Sequence, residues 1–176
     1  MADYLTPTFP RDGNYLPITQ NGLLVSKDIT FTTNGTVVKA LFTVTGSILV
    51  NALYGVVTTA LGSNHTAASF RINDQGAQVY LTAVGGTTLS SLAAGSMIIK
   101  DKLVAVAVTA IDNANGAANE SATAGIPIFS PVIITKKTAA LTQIEYRYIT
   151  NNTSLGAMTV YCGFIPLTSS SNLVAV

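Results

Sequence analysis

Apolar and polar residues alternate over short stretches along most of the chain beyond residue 22. The run Ser69–Asn73 alternates strictly, and the run Gln143–Thr150 places Glu145 and Arg147 on one face and apolar or aromatic residues on the other. An alternation with a period of two residues is typical of a β-strand that buries one face. The pattern predicts about eight short strands and no long amphipathic helix.

Two further runs predict which side chains share a face. In Val160–Phe164, the single cysteine of the chain, Cys162, lies on the same face as both ends of the run. A free cysteine on an apolar strand face behaves as a small buried apolar residue, and a reactive thiol needs a basic neighbour, which is absent nearby in sequence. The run from Val37 to Val44 predicts a second common face, formed by Val38, Ala40, Phe42 and Val44.

Turn signals separate the predicted strands. Asn34-Gly35 is a dipeptide of the hairpin type, and Gly46 interrupts the next apolar run. Residues 112–125 are small and polar without periodicity, which predicts an exposed flexible loop. Short strands at this spacing predict an all-β fold, with a single β-sandwich domain, jelly-roll-like, over residues 23–176.

The first 22 residues differ from the rest of the chain. Prolines recur there among polar residues, and proline fits neither a helix interior nor a central strand. We predict an extended N-terminal arm over residues 1–22 that orders on a partner. The alternative is a disordered tail, although disordered tails usually lack aromatic residues. The predicted partner-binding residues are Tyr4, Phe9, Pro10, Tyr15 and Pro17.

Composition changes the expected surface. Charged residues make up 10% of the chain, against about 25% in an ordinary soluble domain, and the mean hydropathy is +0.45. Interface cores are depleted in charge, so we expect other protein subunits to cover part of the molecule. The net charge is +1 and no basic stripe is present, so nucleic acid is not a predicted partner.

Residues 40–70 contain no Asp, Glu, Lys or Arg. Thr, Ser, Asn and Gly interrupt this stretch, whereas a membrane-spanning helix needs about 20 predominantly apolar residues. We therefore predict two strands and a turn here, and no membrane partner. The N-terminus has neither a basic start nor an apolar core, so no signal peptide is predicted.

Side chains suited to catalysis are few. The one histidine, His65, lies in a Gly-Ser-Asn-His-Thr segment that predicts an exposed loop histidine. A zinc site usually draws on several His or Cys ligands, and this chain has one of each. The carboxylates are scattered, and no glycine-rich phosphate loop precedes a helix. We predict no metal, no cofactor and no enzymatic activity.

Two parts of the chain resemble structural proteins of tailed-bacteriophage virions. The first is the segment Lys39–Val50, which contains a predicted strand that ends in Phe-Thr-Val-Thr-Gly at residues 42–46. The segment Leu53–Ser63 follows and contains Gly-Val-Val-Thr at residues 55–58. In the second, a strand ends in Phe164–Leu167 and leads into a small-residue tail. The resemblance covers residues 37–62 and 130–176, and the middle of the chain departs from it.

The resemblance implies a capsid decoration (cement) protein of the virion surface, present in the host cytoplasm during assembly. Its implied partners are the major capsid protein and further copies of the chain itself, as a trimer or dimer. Two other functions stay open at this point. One is a head or tail fibre or adhesive module that binds the host surface, and the other is a structural component of the tail or connector.

Overall fold

The computed structural model describes residues 22–31, 35–62, 65–84, 89, 91–100, 108–111, 131–136, 141–150 and 156–176. Within these ranges the chain forms eleven β-strands and no helix. In chain order they are β1 (Leu23–Thr30), β2 (Gly35–Thr45), β3 (Ser47–Thr59), β4 (Thr66–Asp74), β5 (Ala77–Tyr80), β6 (Met97–Ile99), β7 (Thr109–Ile111), β8 (Val132–Thr135), β9 (Thr142–Thr150), β10 (Ala157–Pro166) and β11 (Asn172–Ala175). The predicted all-β class is confirmed.

The strands form two antiparallel sheets that pack against each other. Among the described strands, the first sheet runs β1-β10-β3-β6-β7 with β8 also beside β3, and the second runs β11-β2-β9-β4-β5. β8 pairs with Ser47–Val50 of β3, and β6 pairs with Tyr54–Val56 farther along the same strand. Two packed antiparallel sheets make a β-sandwich, as predicted.

The pairing follows a jelly-roll pattern. β1 pairs with β10, β2 with β9, β3 with β8 and β4 with β5. In a jelly roll, the first and second halves of the chain pair as one long antiparallel hairpin, and successive strand pairs of this hairpin fall alternately in the two sheets. Here the pairs β1–β10 and β3–β8 lie in the first sheet, and the pairs β2–β9 and β4–β5 lie in the second. The pairs β10–β3 and β9–β4 then join neighbouring parts within each sheet. This topology agrees with the jelly-roll-like prediction.

The uncharged stretch of residues 40–70 forms strands, as the sequence predicted. It covers the end of β2, all of β3 and the start of β4, which is one strand more than the two expected. The chain passes from the second sheet to the first at Gly46, where φ is +65°. Among the residues described, no helix has the length and apolar character needed to span a membrane.

The core lies between the two sheets. Its largest fully buried apolar side chains include Phe42, Phe70 and Tyr146, and burial of each such side chain stabilises the fold by about 1.5–3 kcal/mol. Cys162 is also fully buried, and burial raises the pKa of its thiol to about 12. The prediction of a buried structural cysteine is therefore confirmed.

In β2 the predicted face of Val38, Ala40, Phe42 and Val44 is wrong in its first half. The register to β9 shifts between Ala40 and Phe42, so that Leu41 is an extra residue in the ladder. A β-bulge of this kind reverses the alternation. As a result, Leu41 and Phe42 are both buried and Val38 is 39% exposed on the outward side.

The prediction of an exposed His65 is also wrong. Its side chain is fully buried, stacked on Tyr148 at 4.7 Å between ring centroids and placed edge-on to Phe31 at 4.8 Å. Its Nε2 atom lies 3.1 Å from the hydroxyl of Tyr146. A polar ring is tolerated in a core when it is hydrogen-bonded, and the three surrounding rings come from segments distant in sequence. Burial lowers the pKa of His65 to about 4.

The predicted arm, apart from Gly22, lies outside the described residues, and so does the predicted loop of residues 112–125. The division of the chain into an arm and a domain therefore stays a prediction.

Candidate interaction surface

The outward face of the first sheet is lined by aliphatic side chains. Leu49 of β3 lies in register between Ile165 of β10 and Ile133 of β8. The neighbours of Leu49 along the strand, Ile48 and Val50, are fully buried. Because successive side chains of a strand point to opposite faces, Leu49 and its two partners point away from the core. Ile133 is 64% exposed.

Two tyrosines stack at the centre of this face. Tyr54 of β3 pairs directly with Tyr161 of β10, and their ring centroids are 5.2 Å apart with an angle of 18° between the planes. Ile99 of β6 lies in register on the other side of Tyr54. Partial burial, and then the neighbouring Tyr161, raises the pKa of Tyr54, so its hydroxyl keeps the proton that it can donate.

We call this surface the apolar face. It comprises Tyr54 and Tyr161 at its centre, Leu49, Ile99 and Ile165 around them, and the exposed Leu24 and Ile133 on opposite sides, and hydroxyl side chains such as Ser26, Thr135 and Thr159 border it. Tyrosine combines a large apolar ring with a polar tip that can hydrogen-bond to a partner. The arrangement can therefore bind an apolar surface and also make a small number of directed hydrogen bonds.

A concavity of about 470 Å³ lies beside the tyrosine pair. Gly163 contributes to this concavity because it has no side chain. A β-carbon at Gly163 would lie 2.6 Å from Oδ1 of Asn51. The register between β10 and β3 shifts after Gly163, which leaves Asn51 as an extra residue in β3 and bends the strand locally. The lining residues are Gly22, Leu23, Leu24, Asn51, Ala52, Tyr54 and Gly163.

The apolar face carries almost no charge. β3, β6, β8 and β10 contain no Asp, Glu, Lys or Arg. In β1, Asp28 lies at the margin of the face, where its carboxylate accepts a hydrogen bond of 2.6 Å from the hydroxyl of Thr159. Lys27, the other charged residue of β1, donates from its amino group to the backbone carbonyl of Val176 after β11. The interior of the face is therefore neutral at any pH near 7.

The outward face of the second sheet is different. Arg71 of β4 donates to the carboxylate of Glu145 of β9 over 2.7 Å, Asn73 donates to the same carboxylate over 2.8 Å, and Arg71 also donates to Gln78 of β5. Glu145 and Arg147 share this face, as the alternation predicted. Arg71 and Glu145 therefore pair within this face, whereas Nη1 of Arg147 is buried without a hydrogen-bond partner.

The structure does not test the five predicted partner-binding residues. Tyr4, Phe9, Pro10, Tyr15 and Pro17 all lie outside the described residues.

Sequence reasoning predicted self-association through apolar sheet faces or edges but did not identify this face. The signal was present in the continuous apolar runs Ile48–Val50 and Val56-Val57, since a strand that is apolar on both faces does not alternate. We interpreted such runs as core strands with some exposed edge for self-association.

Within the described residues, no three His, Cys, Asp or Glu side chains lie close enough together to hold a metal ion. Comparison with protein-family models, with curated protein sequences and with solved structures found no match to this chain.

Proposed function

We propose that this chain is a structural virion protein, not an enzyme, which binds the outer surface of a bacteriophage capsid and stabilises it by bridging major capsid protein subunits. The observation that carries the proposal is the apolar face, a neutral sheet surface with a tyrosine pair at its centre. The resemblance of residues 37–62 and 130–176 to structural proteins of tailed-bacteriophage virions supports a virion component. The protein would join the capsid surface during assembly in the host cytoplasm.

A protein surface is a better partner for the apolar face than a small molecule. Contiguous exposed apolar patches mark interaction sites, and tyrosine is enriched among residues that dominate binding energy. Ile133 does not line the concavity, so a small ligand held there would leave it exposed. A flat protein surface could cover Ile133, Tyr54 and Leu24 together, at about 25 cal/mol for each Å² of apolar area buried.

The arm supplies the capsid contact in this proposal. Gly22, the first described residue, lines the concavity, so the preceding residues enter the fold at the edge of the apolar face. Twenty-one extended residues can reach roughly 70 Å, which is enough to leave the molecule and run over a neighbouring subunit. The side chains proposed to anchor the arm are Tyr4, Phe9, Pro10, Tyr15 and Pro17.

Deletion of residues 1–20 tests the proposal. We expect a chain that keeps its circular dichroism spectrum and melting temperature but no longer co-sediments with capsids assembled without it. The full-length variant Val38→Ser, altered on the outward face of the second sheet, is the matched control and should bind as the wild type does. Full decoration by the truncated chain would exclude the arm, and no binding by the intact chain would exclude the capsid role.

One observation bears on the adhesive alternative, because Tyr54 borders the concavity and aromatic rings can stack on sugars. A glycan array probed with the intact chain separates the two functions. Reproducible glycan binding that Tyr54→Ala abolishes would favour host recognition over decoration. Six-fold rings in solution would instead favour a tail or connector component.

A further inference from the structure

We propose that the apolar face is an interface between two copies of this chain, related by a two-fold axis that passes close to Tyr54 and Tyr161. The inference rests on the proposed function in one respect, namely that protein covers this face, and it states which protein does so.

The distribution of charge favours a second copy. A two-fold interface brings the same patch of both subunits together, so any charge near the axis would face a like charge. β3, β6, β8 and β10 carry none, and Asp28 lies at the margin, bonded to Thr159. A face for a different, charged partner would be expected to carry complementary charge, and this one has no such charge in its interior.

The dimensions of the face fit one further copy. Four strands side by side, spaced by about 4.8 Å, and ten residues of β10, each rising about 3.3 Å, give a flat area of roughly 600 Å². Side chains that project from the sheet enlarge the accessible area beyond this figure. A standard interface buries about 800 Å² on each partner, so the sheet surface, with its projecting side chains, is close to the size that one further copy needs.

The shape of the face also suits a two-fold arrangement. The rings of Tyr54 and Tyr161 stack at the centre of the face, and Tyr54 forms one wall of the concavity beside them. A two-fold axis at the tyrosine pair places the concavity of each copy opposite the apolar face of the other. An exposed aliphatic side chain that does not line the concavity, Ile133 at 64% exposure, is available on that face to fill it.

Charge placed at the centre of the face tests the inference. The wild-type chain should sediment at twice its mass of 18.2 kDa, whereas Tyr54→Lys alone and Tyr54→Glu alone should sediment as monomers, because each places like charges across the axis. The dissociation constant of either variant should rise by about 100-fold or more. An equimolar mixture of the two variants should restore the dimer, because the opposite charges then face each other.

Matched variants separate loss of the interface from loss of the fold. Val38→Lys adds the same charge to the outward face of the second sheet and should leave the dimer intact. Leu24→Lys alters a side chain that the isolated chain leaves exposed, so it should fold and weaken the dimer even if Tyr54→Lys does not fold. The proposal is overturned if the wild type is monomeric at about 100 μM, if its mass is that of a trimer, or if Tyr54→Lys and Leu24→Lys both keep the dimer.

Other occupants of the face give different results. If residues 1–20 of the same chain cover it, the wild type is monomeric and only the truncated chain dimerises, which overturns the proposal. A monomeric wild type that still decorates capsids overturns the dimer and leaves the capsid role standing. A dimer that does not bind capsids supports the dimer interface and overturns the capsid role.

Discussion

At the scale of single residues, His65 shows how the fold can make stability depend on pH. Burial lowers the pKa of the imidazole from 6.5 to about 4, because a charged ring cannot be solvated among Phe31, Tyr146 and Tyr148. The unfolded chain takes up the proton near pH 6.5, whereas the folded chain does so only near pH 4. Between these values the unfolded state binds more protons, so stability falls as the pH falls.

We expect the free energy of unfolding to be highest above about pH 6.5 and to lose up to about 3 kcal/mol through this group as the pH falls to 4. The variant His65→Phe keeps an aromatic ring beside Tyr148 but cannot titrate. It should be less stable than the wild type at pH 7, by about 1–3 kcal/mol, because the hydroxyl of Tyr146 loses its partner. Urea unfolding at several pH values measures both quantities.

His65 is the only histidine of the chain, so no other imidazole contributes to the difference in stability between the wild type and His65→Phe. Carboxylates that titrate below pH 5 are common to the wild type and His65→Phe, so they cancel in the difference between the two curves. The advantage of the wild type should fall from pH 6.5 to pH 4, and it should change sign if it is smaller than about 3 kcal/mol at pH 7. A constant difference over this range would mean that the buried imidazole is not the source of the pH dependence.

At the scale of the strands, the connection between β2 and β3 determines how the two sheets are joined. Gly46 has a φ of +65°, and a β-carbon there would lie 2.6 Å from Oγ of Ser171 and 3.0 Å from its Cα. The same hydroxyl accepts a hydrogen bond of 2.9 Å from the amide of Ser47. A side chain at Gly46 would therefore disturb both the corner and the start of β3.

We expect Gly46→Ala to destabilise the fold by about 2–4 kcal/mol, through backbone strain and overpacking together. Gly76, in the turn between β4 and β5, is the matched control, because its φ is +91° and nothing lies within 4 Å of a β-carbon there. Gly76→Ala should show the strain alone, about 1 kcal/mol. Urea unfolding of the two variants measures the difference, and equal losses would show that Ser171 can move aside freely.

The sequence predicted the strands better than it predicted which residues each strand buries. Strict alternation identified β4 and β9 together with their inner faces, because both strands carry charged residues outward. The buried face of β2 was predicted wrongly, because the bulge at Leu41 arises from the pairing with β9. A run of apolar residues contains no sequence signal for such a bulge. The buried position of His65 likewise depends on rings that only the folded chain brings together.

The apolar face was predictable in part. A low content of charge indicated that some surface would be covered, but composition cannot say which face. That assignment needs the register, which aligns Tyr54 with Tyr161 and places Leu49 between two isoleucines. The contacts predicted for the arm stay a prediction, because residues 1–21 lie outside the described ranges.

At the scale of the whole molecule, the two outward faces differ in the charged residues that they carry. The second sheet pairs Arg71 with Glu145 within its own face, whereas the first sheet carries the apolar face. If the apolar face joins two copies, each dimer presents two arms to the capsid.

This arrangement predicts that dimerisation strengthens capsid binding without any new contact to the capsid. Once one arm of a dimer is bound, binding of the second becomes intramolecular, and such linkage can raise the overall affinity by about 10²–10⁴-fold. The monomeric Tyr54→Lys chain keeps its arm, so it should occupy the same capsid sites but dissociate about 100-fold faster or more.

Release of labelled chain from washed capsids measures this rate, with dimeric Val38→Lys as the control that should dissociate at the wild-type rate. Equal rates for the monomer and the dimer would mean that only one arm of each dimer reaches the capsid, because the two-fold axis then directs the second arm away from it.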